Sequence, residues 1–568
     1  MKKRIYFILF FSSILILLGI LIFFPIYTTQ HLIFPYAIHP FDLCIQKNSL
    51  WKLIKLLFFI LYLLSAIIIS NSIYINHYKQ NPKNNDDHSA KITNSLINSD
   101  LNLLIGYNEK KIPIYLCEKS LYQNILITGT IGTGKTSSAM YPFTHQLIKY
   151  RYNSTENKIG ILILDVKGNY YNEVLTYAKK YNRLDDIILI TPGGKYKYNP
   201  LNKPSLKASV LANRLKSILL LFSPNNSESY WLDKAEQVLE ECIKLCRIYN
   251  NGYVTFEEIH KLITIPDYYA KKIELLRNLF LNQKLNQKEM YNLLSSLNFF
   301  EKEFLKLDSR TLSILKSEIT RITNCFLSDY DVFKTFNPTP EEENFYGFND
   351  LINTGKIVVL NMNISEYRNL SKIIAAYLKL DFQTEVLSKL STQKDPRKVA
   401  FICDEYHEYV TINDADFFSQ CREAKCINIL ATQSYSSLLN TLKNETTLKV
   451  LIQSLVNKLW FRTDDYFTIE LIQKQIGKEE KSKTSKTISE NAKETSYNIF
   501  TKTLNSTNSS ISESINIYSQ FDFIYDTKFF TQQLETFSCL SFLSNGNKII
   551  PPQKLKLIPY FILNEHDL

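Results

Sequence analysis

Glycine and proline are scarce in this 568-residue chain, with 14 and 17 of them, and tryptophan, methionine and histidine are scarcer still at 3, 4 and 8. So few breakers exclude a collagen-like or Gly/Pro-rich disordered chain. Asn, Ile, Lys and Tyr are abundant instead, a bias of composition more than of function. Nine cysteines occur without one C-x-x-C pair, and no histidine stands at metal-ligand spacing from them. A zinc ribbon or dithiol redox centre is therefore excluded, and the cysteines read as small buried hydrophobes in a reducing compartment. No LSGGQ-type signature argues for an ABC exporter, and neither H-R-D nor D-F-G argues for a protein kinase. The net charge is +11, but Lys2, Lys3, Arg4, Lys47, Lys52 and Lys55 against Asp42 give the first 75 residues +5 of it, leaving +6 for the rest. That mild excess permits nucleic-acid contact without arguing for it.

What the chain does hold is Asn124–Met140, NILITGTIGTGKTSSAM. An apolar strand runs into Gly129-Thr130-Ile131-Gly132-Thr133-Gly134-Lys135-Thr136, a full match to G-x-x-x-x-G-K-[ST], and a helix runs out of it through Ser137. Glycines let backbone N–H groups turn inward around phosphate oxygens. Lys135 brings a point charge to the β- and γ-phosphates, and Thr136 a hydroxyl to Mg²⁺. The helix that follows adds the positive end of its dipole. The expected ligand is ATP with Mg²⁺.

Ahead of this element, two uncharged apolar stretches, about 5–27 and 54–75, are long enough to span a bilayer. They predict a membrane anchor over residues 1–78, followed by a polar linker, 79–100. Two spans place both termini on one side. Lysines on both flanks leave the charge rule nearly tied, so the nucleotide site decides for the cytoplasm.

Behind it, the length predicts roughly three or four units. Apolar runs at Ile161–Leu164, Ile187–Ile190, Ile357–Leu360, Val399–Asp404, Cys426–Thr432, Lys458–Arg462 and Cys539–Leu543 read as strands of a largely parallel sheet covered on both faces. From about 205 to 344 the spacing turns helical, as in Trp231, Ala235, Val238, Leu239, Cys242 and Leu245. The expected organisation is thus an α/β P-loop domain over 101–204 and 345–568, with an all-α region, 205–344, inserted. Residues 478–519, rich in Lys, Ser, Thr and Asn, read as a solvated loop able to touch a phosphate backbone.

Val399–Glu405, VAFICDE, supplies the second half of the chemistry. Asp404 would hold the metal through water and Glu405 would polarise the attacking water. Gln433 ends the next strand, where an amide can sense the γ-phosphate. Arg422 lies between them, and an arginine there can stabilise transition-state charge on a neighbouring subunit's nucleotide, or be a plain surface side chain.

In order and spacing, GTIGTGKT, LDVKG, YNPL, the helical stretch opening at Tyr230-Trp231, FICDEY and CREAKC–ATQS resemble the motifs of the type IV secretion coupling proteins, the membrane ATPases of bacterial conjugation. The resemblance covers nearly the whole chain. It implies a RecA-like fold with an inserted all-α domain, a homo-hexamer in the bacterial inner membrane, and transfer of DNA–relaxase complexes, or of effector proteins, into a secretion channel at the expense of ATP. It also implies that Asp165, Lys167 and Gly168 match the D-P-K-G motif, with Val166 replacing proline, and that Tyr406 stands where phenylalanine is usual. Two rivals remain open: a docking receptor with ATP as its assembly switch, and a DNA pump of chromosome segregation, which usually has more spans and a C-terminal winged helix.

Overall fold

The apolar runs are strands because each is buried on both sides. In Ile161-Leu162-Ile163-Leu164 the two isoleucines join one core cluster and the two leucines the other. Ile125 and Ile127 divide from Leu126 in the same way, as expected of a sheet sandwiched between helical layers. The computed structural model describes residues 101–562 apart from 166, 222–228, 283–284, 392–394, 492–495, 499–502 and 506–509, together with Leu56 and Ile60.

Two units divide the chain, Met1–Asn98 and Ser99–Leu568. Of the first, only Leu56 and Ile60 are described, both helical and exposed. The expected spans otherwise lie outside the described residues, among which no helix is long and apolar enough to cross a membrane.

The second unit is built on an eleven-stranded sheet. Its strands are β1 (Asn102–Asn108), β2 (Pro113–Cys117), β3 (Ile125–Thr128), β4 (Gly160–Asp165), β5 (Ile187–Ile190), β6 (Ile357–Asn361), β7 (Val399–Cys403), β8 (Cys426–Thr432), β9 (Asn457–Phe461), β14 (Ser538–Phe542) and β15 (Gln553–Lys556). They lie in the order β2-β1-β15-β14-β9-β3-β8-β7-β4-β6-β5. The seven from β9 to β5 run parallel. Next to β9, strands β14, β15, β1 and β2 continue the sheet antiparallel. The parallel register sets Thr128 beside Thr432 and Asp165 beside Asn361, so the residues that follow β3, β4, β7 and β8 gather along one edge.

Helices α1 (Tyr141–Lys149) and α2 (Tyr170–Lys180) cover one face. The element that leaves the P-loop starts as a π-helical turn, Thr136–Met140, before α1. Between β5 and β6 the described elements are helices: α3 (Ala208–Leu221), α4 (Ser229–Tyr249), α5 (Phe256–Thr264), α6 (Pro266–Leu281), α7 (Gln287–Lys302), α8 (Ser309–Leu327), α9 (Tyr330–Phe336) and a short one at Asn349–Thr354. The Tyr198-Asn199-Pro200-Leu201 motif is their root. Tyr198 donates its hydroxyl to Asp381, the Asn199 amide donates to the Val254 carbonyl at 2.8 Å, and Tyr377 donates to the Pro200 carbonyl at 2.9 Å. Asp381 is fully buried between Lys203 at 2.8 Å and Arg214 at 2.6 Å.

One expectation fails. Much of the Lys/Ser-rich segment is an antiparallel ribbon of β10 (Lys478–Asn491) and β13 (Ser510–Phe523), with two short paired strands, β11 (Ser496–Asn498) and β12 (Thr503–Asn505), in the segment between them. Period-2 alternation explains it: Ile515, Ile517, Phe521 and Phe523 fall on one face of the ribbon, and serine and asparagine between them hide the pattern from a reading by composition.

The turn after β7 is tied down by a buried ion pair. Lys379, in α10 (Asn369–Ser388), donates to Asp414 at 2.7 Å and to the Tyr409 carbonyl at 2.7 Å, while Tyr406 donates its hydroxyl to the same carboxylate. Lys379 and Asp414 are both fully buried. Lys379→Met leaves that carboxylate without its cation, so it should cost about 3–5 kcal/mol, read as a lower midpoint of denaturant unfolding. Lys474→Met, which loses only an exposed pair with Glu470, should leave the midpoint in place.

Candidate functional site

The P-loop spans β3 and the π turn, and its glycines are there for space. Gly132 and Gly134 have φ of +78° and +93°, which side chains with a Cβ rarely adopt. A Cβ on Gly129 would lie 2.6 Å from Phe461 Cβ, and one on Gly134 would lie 2.4 Å from the Phe537 ring. The loop is pinned from both sides. Thr130 donates its backbone N–H and its hydroxyl to the Arg462 carbonyl at 3.0 and 3.2 Å. Phe537 donates its N–H to the Thr133 carbonyl at 3.1 Å, and Thr133 donates its hydroxyl to the Thr130 carbonyl at 2.8 Å. Ser137 donates to the Gly134 carbonyl at 3.3 Å.

Lys135 folds back over the loop, donating to the carbonyls of Gly129 at 2.5 Å and Thr130 at 3.1 Å. Burial lowers its pKa, opposed by the charges of Glu405 and Asp404. Thr136 donates its hydroxyl to Asp404 at 3.1 Å, so a hydroxyl and a carboxylate, both hard oxygen ligands, converge at the end of β3. A loop with two left-handed glycines, a lysine and this oxygen pair fits a phosphate–Mg²⁺ group.

Sequence reading matched Lys167 to a motif without giving it a place in the site. The structure puts it at the centre: its ammonium donates to Glu405 at 2.8 Å and to Asp404 at 3.3 Å. Asp165 sets the turn that carries it. Its carboxylate accepts N–H bonds from Lys167 and Gly168 at 3.0 Å each and from Tyr170 at 2.7 Å. Burial nonetheless raises the Asp165 pKa. Glu405 has a left-handed backbone, φ +51°, and accepts from the Gln433 amide at 3.2 Å. Burial pushes the Glu405 carboxyl up, but the Lys167 bond and charge, with His407 and Lys135 behind them, leave it below the usual carboxylate range. His407 lies 3.7 Å from Glu405, and burial lowers its pKa.

Lys135, Thr136, Asp404, Glu405 and Gln433 are therefore brought together with Lys167, along the carboxyl ends of β3, β4, β7 and β8. Arg422 is not. It is exposed in the turn before β8, at the opposite end of the strand from Gln433, roughly 20 Å away for seven residues. Arg462 and Phe537 went unread; Arg462 was visible only as the end of a strand, and Phe537 carries no motif.

A family model described as "TraM recognition site of TraD and TraG" matches residues 398–516. No curated protein sequence matches the chain. Among solved structures, the unbound monoclinic form of the bacterial conjugative coupling protein TrwBdeltaN70 is similar at 12% identity, over 80% of this chain and 88% of that one, with a TM-score of 0.53. The plasmid coupling protein TrwB with the GTP analogue GDPNP is similar at 12% identity, over 80% and 89%, with a TM-score of 0.51. Its complex with ADP and Mg²⁺ is similar at 13% identity, over 81% and 90%, with a TM-score of 0.52. At these identities the likeness shows the fold, a mixed α/β fold with a large parallel sheet. With the match over 398–516, it bears out the resemblance to the type IV secretion coupling proteins.

Because Lys167 is the main force holding the Glu405 pKa down, Lys167→Met should raise the pH at which that carboxyl protonates. The ¹³C shift of a labelled glutamate carboxyl follows it. An unchanged titration would mean that another group sets the charge of Glu405.

Proposed function

We propose that this protein is the ATPase coupling protein of a type IV secretion or conjugation system, recruiting a DNA–relaxase substrate and driving it into the channel. The observation that carries this reading is the Thr136–Asp404–Lys167–Glu405–Gln433 cluster beside a complete P-loop, on the fold of conjugative coupling proteins. Solved TrwB complexes hold a GTP analogue and ADP with Mg²⁺, which supports nucleotide and metal in the equivalent loop here.

Gly129, Thr130, Gly132, Thr133, Gly134 and Ser137 supply the backbone cradle. Lys135 leaves the loop carbonyls to meet phosphate oxygens, exchanging neutral acceptors for charged ones. Thr136 and Asp404 would hold Mg²⁺, which when bound neutralises phosphate charge. Glu405, ionised at neutral pH, accepts a proton from water and orients it, while Gln433 holds the carboxylate in place. Lys167 bridges the two carboxylates and keeps Glu405 charged. Arg422 is too far along β8 to serve its own chain's nucleotide, so its role is toward a neighbour in a homo-hexamer. The spans at 5–27 and 54–75 anchor the ring in a bacterial inner membrane, with both termini and the ATPase domain cytoplasmic. DNA passes by phosphate contacts without base readout.

One observation favours the second reading, an ATP-switched docking receptor for effector proteins. Ile515, Ile517 and Phe521 are 62, 71 and 68% exposed on the β10–β13 ribbon, partly inside the segment matched by a partner-recognition family model.

Hydrolysis by the full chain, with and without single- and double-stranded DNA, separates the two. The motor reading predicts DNA-stimulated turnover that falls about 100-fold or more in Glu405→Gln with ATP binding kept, and that is lost with ATP binding in Lys135→Ala. Nucleotide binding with no response to DNA would move the assignment to the receptor. Undiminished hydrolysis in Lys135→Ala would remove the P-loop from the account.

A further inference from the structure

A phenylalanine with a left-handed backbone is an outlier that surrounding structure must hold in place. Phe537 is one, with φ of +63°. Its N–H donates to the Thr133 carbonyl of the P-loop at 3.1 Å, and its carbonyl accepts from the Leu557 N–H at 2.8 Å. The result is a ring pressed against Gly134, so close that a Cβ there would overlap it at 2.4 Å. The chain then returns to the same place. Tyr560 donates its N–H to the Ser137 carbonyl at 2.8 Å. Phe561 stands edge-on to Phe537, centroids 6.1 Å apart and planes at 72°, and Tyr560 lies 5.5 Å from Phe561. Phe561 is 62% exposed, although its neighbour's backbone is tied to the element that leaves the P-loop.

The position gives these rings a use. Lys135 and Thr136 take the distal phosphates, and Ser137, one residue on, lies where a nucleotide's phosphate chain leaves the loop for its sugar. The aromatic pair is fastened to that residue and to Gly134. Neither phenylalanine offers a hydrogen-bonding side chain, so what the pair presents is π-surface and apolar edge, which any base can stack on.

We propose that Phe537 and Phe561 form a stacking platform for the base of the nucleotide whose phosphates the P-loop holds, with Phe561 as the exposed face and Phe537 as its support. This rests on the nucleotide-site reading above. The platform grips the flat face of the base and not its donor and acceptor edge, so it takes adenine and guanine nearly alike.

The test is equilibrium binding of ATP, GTP and inorganic tripolyphosphate to the full chain and to Phe561→Ala and Phe561→Tyr. The substitution is at an exposed ring, so the fold is spared. Phe561→Ala should weaken ATP and GTP together by about ten-fold, the scale of one base–aromatic stack. Tripolyphosphate should be unaffected, and Phe561→Tyr should restore both nucleotides. Unchanged nucleotide affinity in Phe561→Ala would overturn the platform while leaving the phosphate site standing. So would an equal loss for tripolyphosphate, which would make the ring a support of the loop, or a loss confined to one nucleotide. If the unaltered chain binds neither nucleotide nor tripolyphosphate, the nucleotide-site reading itself fails.

Discussion

Two carboxylates that follow each other at the end of a buried strand repel, and each resists losing water. The bridge from Lys167 to Asp404 and Glu405 places a cation between them beside the P-loop. Much of the architecture serves it. Lys167 follows β4 and the carboxylates follow β7, so those strands must be neighbours and parallel, as they are. Asp165 must hold the turn that aims the lysine, and its carboxylate takes three backbone N–H groups to do so. Glu405 must leave the strand in a left-handed conformation, and Gln433 must follow β8 within reach of it.

One helix ties this edge to the helical region. Lys379 and Asp381 are two residues apart in α10 and serve different networks. The lysine is buried against Asp414, whose carboxylate also takes the hydroxyl of Tyr406, the residue after Glu405. The aspartate is buried against Lys203, Arg214 and Tyr198, at the root of the helices between β5 and β6. Buried ion pairs of this kind are weak as net stabilisers but costly to break singly, so they fix α10 against both partners.

How much of this was legible depended on burial. The parallel strands could be read because a strand covered on both faces is apolar along its length, and Ile161–Leu164 or Ile357–Leu360 leave little choice. The site residues at the ends of those strands followed from motif chemistry. Strands β2 and β15 escaped because they are short and leave most of their residues half-buried or exposed, as Ile114 and Gln553 show. The ribbon at 478–523 escaped because serine and asparagine diluted its alternation. Lys167 lay in a matched motif, yet nothing in one dimension shows that β4 adjoins β7. Phe537 reaches the P-loop across some 400 residues of chain, and only the fold brings them together.

The central claim is that Thr136 and Asp404 together hold the metal of a bound nucleotide. Mn²⁺ in place of Mg²⁺ tests it, with electron paramagnetic resonance of the full chain reporting the bound ion in the presence of ATP. The account predicts a single Mn²⁺ per chain, bound only with ATP and lost in both Thr136→Val and Asp404→Asn. Mn²⁺ held with ATP as tightly in both variants as in the unaltered protein would contradict it.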